Sequence, residues 1–144
     1  MSALYLIANI SGSAVAIDSS RVESVVRIGE VLKVPNCSPL VAGLFALRSR
    51  VLTLLDSQFL VTGVSKTPEI GSLAVVVDID GHTYGLLVDG IDEAVMIESI
   101  DYLQNISLDP NWQNIASGVV SHEDRMLMMI DLERLIAVPE LLAA

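Results

Sequence analysis

Residues 4–28, LYLIANISGSAVAIDSSRVESVVRI, and residues 73–97, LAVVVDIDGHTYGLLVDGIDEAVMI, follow one pattern. At an ungapped shift of 69 positions Leu4 falls on Leu73, Ile10 on Ile79, Gly12 on Gly81 and Ile28 on Ile97, and apolar residues largely meet apolar ones between them. A second block continues the match at a shift of 75, where Gly43 falls on Gly118, Arg50 on Arg125, Leu52 on Leu127, Asp56 on Asp131 and Leu60 on Leu135. The six extra positions lie between the blocks, where the first copy has residues 29–40 and the second the longer 98–115. An internal repeat constrains the architecture before any single element does, because each copy must be one structural unit.

Within a copy the period is that of strands. Residues 4–10 and 73–79 are short β-rich runs ending at Ser11-Gly12 and Asp80-Gly81, dipeptides that favour tight hairpin turns. Return strands follow over 14–18 and 83–88, then Ser19-Ser20 and Asp89-Gly90 interrupt the run before 22–28 and 91–97. This predicts three antiparallel strands per copy. Residues 43–47 with 50–55, and 118–121 with 125–130, add two more strands to each, joined through Arg48-Ser49 and Glu123-Asp124. Asp56 and Asp131 stand where helix N-caps belong, and Leu132, Leu135 and Ile136 keep helical spacing, so each copy is predicted to close with a short helix. Pro139 is expected to stop the second, and residues 63–71, with Ser65, Lys66, Thr67 and Pro68, read as the linker between copies.

Five strands per copy suit a small closed barrel. The expected fold is all-β: two small five-stranded SH3-like barrels packed around a shared hydrophobic core, with short closing helices. A barrel of about 65 residues has a thin core, so the two must pack together as a single domain. The subdomains are expected near 1–66 and 67–144, with the N-terminal strand free to exchange between them. Gly43 and Gly118 are expected at equivalent backbone positions early in corresponding strands.

The 144 residues are 52% hydrophobic and only 4% aromatic, so the interior must be built from Val, Ile, Leu and Met. A mean hydropathy of +0.60 leaves two readings, unusually complete burial or apolar surface meant for another protein. The net charge of −10 repels nucleic acid and anionic lipid. Cys37 is the only cysteine, which rules out an intramolecular disulfide and suits a reducing cytoplasm. Met1 to Tyr5 lack the basic start of a secretory signal, and the longest apolar runs, 73–77 and 126–130, are far shorter than a membrane span. The expectation is a soluble cytoplasmic protein.

Catalytic constellations are not evident in the sequence. His82 and His122 are the only histidines and both fall in hairpin connections, where an exposed polar residue is the ordinary reading. No nucleophile elbow, phosphate-cradling loop or His/Cys ligand spacing is present, so no cofactor and no metal is expected. Asp78, Asp80, Asp89, Asp92, Glu93 and Asp101 gather in a short stretch, but they flank a turn or alternate along a strand rather than forming an oxygen-rich loop. A solvated acidic rim is the expectation there.

Residues 34–56, from Val34-Pro35-Asn36-Cys37-Ser38-Pro39 through Gly43, Leu47-Arg48-Ser49-Arg50 and on to Asp56, closely resemble the central signature of the CheW family. That signature runs from a Pro-rich approach through Gly, an apolar strand, Asn-Leu-Arg-Gly and a second strand to Asp at a helix start. Gly85 to Gly90 also resembles its Gly-x-x-Val-Asp-Gly element, and the likeness extends from about Leu4 to Val138. The resemblance implies two small barrels sharing a core and a non-catalytic chemotaxis adaptor. It implies as partners the regulatory domain of the histidine kinase CheA and the signalling tip of methyl-accepting chemoreceptors, in arrays on the inner face of the membrane. A related scaffold of surface motility or another chemosensory pathway is the alternative, with an enzyme disfavoured. Carried over residue by residue, the partner-binding positions are Val22, Glu23, Ser24, Leu47, Arg48 and Ser49. Three departures from the family pattern stand out: Ala46 replaces its Asn, Ser49 its Gly, and Ser24 a position that is often Glu, with the acid one place earlier at Glu23. Losing that Gly is expected to change the turn after Arg48, since Ser tolerates positive φ poorly.

Overall fold

Both hairpin dipeptides turn as their composition dictates. In the computed structural model, which describes residues 2–35, 38–104 and 106–136, Ser11 and Gly12 have φ of 52° and 84°, and Asp80 and Gly81 have 51° and 82°. Two positive φ values in succession mark the turn whose twist suits a two-residue hairpin. The first copy forms β1 (Ser2–Ile10), β2 (Ser13–Asp18), β3 (Val22–Arg27), β4 (Val31–Leu32), β5 (Val41–Leu47), β6 (Arg50–Leu55) and α1 (Ser57–Thr62). The second forms β7 (Leu73–Ile79), β8 (His82–Val88), β9 (Gly90–Glu98), β10 (Ala116–His122), β11 (Arg125–Ile130) and α2 (Leu132–Ile136). The expected all-β class stands, with short helices closing each copy. Cys37 and Pro139 lie outside the described residues.

The strands make two mixed sheets, β10-β11-β2-β1-β9 and β3-β7-β8-β6-β5-β4, each with one parallel pair, β11 with β2 and β6 with β8. Exchanging each strand for its repeat counterpart turns the first order into the second, apart from β4. Neither sheet is built from one contiguous half. The expectation of three antiparallel strands within a copy is corrected here, because β3 pairs with β7 and β9 pairs with β1. Hydrogen bonds at each junction show why the third strand leaves its own hairpin. After β2 the chain makes a 3-10 turn at Ser19–Arg21, and Arg21 Nε donates to the Asp78 carbonyl of β7 at 2.9 Å. After β8 the Asp89 N–H donates to the Asn9 carbonyl of β1, and the Asp89 carboxylate accepts from the Ser11 N–H at 2.7 Å.

A bulge recurs at the same place in both copies. Val41 faces Leu55 and Gly43 faces Leu54, while Ala116 faces Ile130 and Gly118 faces Met129. Gly43 and Gly118 are thus equivalent in register. Their surroundings differ: Gly43 has φ 151°, and a Cβ there would stand 2.6 Å from the Leu32 carbonyl oxygen of β4, whereas nothing lies within 4 Å of the corresponding point at Gly118. The short strand β4 escapes sequence reading. Its counterpart is a single bridge from Tyr102 to Val120, the residue equivalent to the Phe45 that faces Val31.

Three apolar clusters form among the described residues. Ile7, Ala16, Val95, Ile97, Val120, Leu127 and Met129 line the inner face of the five-stranded sheet. Ile28, Phe45, Leu52, Leu54, Ala74, Val76 and Leu87 line that of the other. The third and largest cluster draws on both sheets, including Ala8, Ile10, Val15, Val75, Val77 and Leu86, and closes under Leu60 of α1 and Leu135 of α2. Trp112, from the inserted stretch of the second copy, joins it. Asp56 is buried and caps α1, accepting from the Phe59 N–H at 3.2 Å and from the linker Lys66 N–H at 2.7 Å. Burial raises its pKa above the usual carboxylate value, and the backbone donors from Lys66, Phe59 and Gln58, with the Lys66 charge, offset part of that rise.

Candidate partner-binding site

The six candidate positions come from two segments that the chain holds 25 residues apart, and the six-stranded sheet brings them to one end. Val22 opens β3 opposite Val77, half-buried against the shared cluster, so it belongs partly to the core. Ser24 is half-buried opposite Val76 after a bulge, and Glu23 is exposed between them. Leu47 ends β5, half-buried against the inner cluster that also holds Val26 of β3. Arg48 and Ser49 form the exposed turn that follows.

An ion pair from Arg50 to Glu23 ties these segments together across the end of the sheet. Sequence reading missed Arg50 as part of the site, although a signal was present. The repeat sets Arg50 on Arg125 and Glu23 on Asp92, and in the other sheet Arg125 and Asp92 pair at 2.8 Å. The Arg125 guanidinium holds the Asp92 carboxyl below the usual carboxylate range.

The turn keeps Ser49 out of the left-handed region, as its side chain requires. Positive φ falls on Arg48, at 58°, and not on Ser49. In the equivalent turn both Glu123 and Asp124 are left-handed, at 48° and 60°. Serine at position 49 is therefore unstrained, and the cost passes to the arginine, about 1 kcal/mol for a residue with a Cβ in this region. Among the described residues Arg48 makes no hydrogen bond or ion pair. The other five arginines are all engaged: Arg21 with Glu133, Arg27 with the Gly71 carbonyl, Arg50 with Glu23, Arg125 with Asp92 and Arg134 with Asp131.

His82 and His122 flank hairpin turns. Among the described residues no cluster of three or more His, Cys, Asp or Glu is placed to hold a metal, and no helix is long and apolar enough to cross a membrane. A recess of about 170 Å³ includes Tyr5, Asp18, Arg21, Tyr102 and Glu133. Arg21 meets Glu133 at 2.5 Å, and burial followed by the hydrogen bond with Tyr102 pushes the Tyr5 hydroxyl up to about 12.

The duplicated β module thus presents at one end an arginine that has no partner among the described residues. Over residues 4–140 the chain matches the family model described as the CheW-like domain, and it belongs to that family of non-catalytic chemotaxis adaptors. Among solved structures it is similar to the scaffolding protein TtCheW of Thermoanaerobacter tengcongensis, with a TM-score of 0.80 at 20% identity, covering 96% of this chain and 90% of that one. That likeness shows the fold. Comparison with curated proteins finds no match.

Proposed function

We propose that this chain couples methyl-accepting chemoreceptors to the histidine kinase CheA in arrays at the inner face of the membrane, and that the end of the six-stranded sheet carrying Val22, Glu23, Ser24, Leu47, Arg48 and Ser49 is a partner-binding surface. The observation that carries the reading is Arg48: exposed, left-handed, and alone among the arginines in making no bond within the described chain. A planar guanidinium suits a partner carboxylate or carbonyl, and an anchor of this kind concentrates binding energy in few contacts.

Two substitutions separate binding from folding. Arg48→Ala should leave thermal unfolding nearly unchanged, within about 0.5 kcal/mol, while weakening binding to a receptor signalling-tip fragment or to the CheA regulatory domain by about 2 kcal/mol, roughly 30-fold. Arg48→Gly should relieve the left-handed cost and raise stability by up to about 1 kcal/mol while losing the same affinity. Unchanged binding of both variants to both partners would remove Arg48 from the site.

A further inference from the structure

We infer that the Glu23–Arg50 pair is a positioning clasp, which orders the β5–β6 turn and keeps Arg48 uncommitted, without itself touching the partner. The inference rests on the reading of Arg48 as the anchor, and it assigns to Glu23 a different task from the contact role suggested by family likeness.

The tip of the β5–β6 hairpin lacks support on one side. Strand β6 pairs with β8 only over Thr53, Leu54 and Leu55, so residues 50–52 run on with β5 alone for a neighbour. A cleft of about 500 Å³ opens beside them, lined on the far side by Gly81, His82, Thr83 and Tyr84. Arg50 stands at the start of β6, opposite Leu47 across the turn. Its guanidinium reaches Glu23 on the edge strand β3, so the pair spans an end of the sheet where the backbone ladder between β6 and β8 has already stopped.

The second sheet repeats the construction with different chemistry at the turn. Strand β11 pairs with β2 only at Met128 and Met129, and Arg125 at its start reaches Asp92. The turn there carries Glu123 and Asp124 in place of Arg48 and Ser49. The ion pair thus accompanies the projecting hairpin whatever its turn displays, which is what a geometric role requires. Both partners of each pair are substantially solvent-exposed, and exposed pairs add little to global stability. Glu23 is also the only carboxylate among the six site residues, and its engagement by Arg50 leaves Arg48 free for an outside acceptor.

The test uses the full chain and a receptor signalling-tip fragment as probe. Arg50→Gln should speed amide hydrogen exchange at the Leu47–Arg50 turn and weaken binding by about fivefold, with unfolding almost unchanged. The charge exchange Glu23→Arg with Arg50→Glu should restore both properties. In an Arg48→Ala background Arg50→Gln should cause no further loss, since its effect passes through Arg48. Asp92→Asn, in the equivalent pair of the other sheet, should leave binding to this probe unaltered. Unchanged exchange at the turn in Arg50→Gln overturns the clasp, as does an additive loss on top of Arg48→Ala, which would make Arg50 a contact residue. Full binding by Arg48→Ala instead overturns the anchor reading, and the exchange rates then still decide whether the pair orders the turn.

Discussion

Phe45 and Gly85 meet in one sheet, and their repeat counterparts Val120 and Ala16 belong to one buried cluster of the other. The pairs are equivalent under the repeat, and a Cβ at position 85 would stand 2.6 Å and 2.7 Å from the ring carbons Cε1 and Cζ of Phe45. Each inner face thus holds one larger and one smaller residue, in sizes that compensate. Gly85→Ala should cost about 1–3 kcal/mol by overpacking, and Phe45→Val about 2–3 kcal/mol through the space it empties. Together they reproduce the Val120/Ala16 pair, so the double variant should lose clearly less than the sum in urea unfolding. Strict additivity would refute the exchange of volume. This complementarity was not legible in the chain, since alignment of the copies sets Phe45 on Val120 and Gly85 on Ala16 without showing that the two positions meet. Arg50 was more accessible: an acid and a base fall at matched positions of both copies, at 23 and 92 and at 50 and 125.

Among the elements, hairpins and strand order within each hairpin were readable because turn dipeptides and alternation are local signals. The destination of β3 and β9 was not, since it depends on bonds such as Asp89 to Ser11 that join residues 78 positions apart. Asp89 holds three elements at once, through the Ser11 N–H of the β1–β2 turn, its own N–H to Asn9, and an ion pair with Lys66 of the linker. Burial alone would raise its pKa, but the Lys66 ammonium and the Ser11 N–H outweigh it and bring the carboxyl below its usual value. A carboxyl depressed in the folded state stabilises the fold above its unfolded pKa, near 3.9, and that contribution is lost as pH falls through the lower folded pKa. Asp89→Asn should therefore lower the urea midpoint at pH 7 and flatten its decline on the acid side. Equal slopes for the two proteins between pH 5 and pH 2, at about those limits, would remove Asp89 from the linkage.

At the scale of the whole chain the repeat revealed the number and kind of units and the presence of a shared core. It could not reveal that sheets and copies are cut differently, because strand pairing between copies leaves no mark on the period of either. Each sheet takes one hairpin from one copy and the rest of its strands from the other. Residues 1–66 and 67–144, produced as separate fragments, should each fail to unfold cooperatively and should form one complex with native-like β content when mixed. A stable, cooperatively melting fragment on its own would contradict the shared construction.

The connectivity is that of a dimer whose two subunits have traded hairpins and then been joined end to start. Two unlinked copies would find one another only as their concentration allowed, and dilution would take them apart. The joining segment, residues 63–72, holds each copy at an effective concentration on the order of millimolar for the other. Completion of both sheets is thereby made independent of how much of the protein is present.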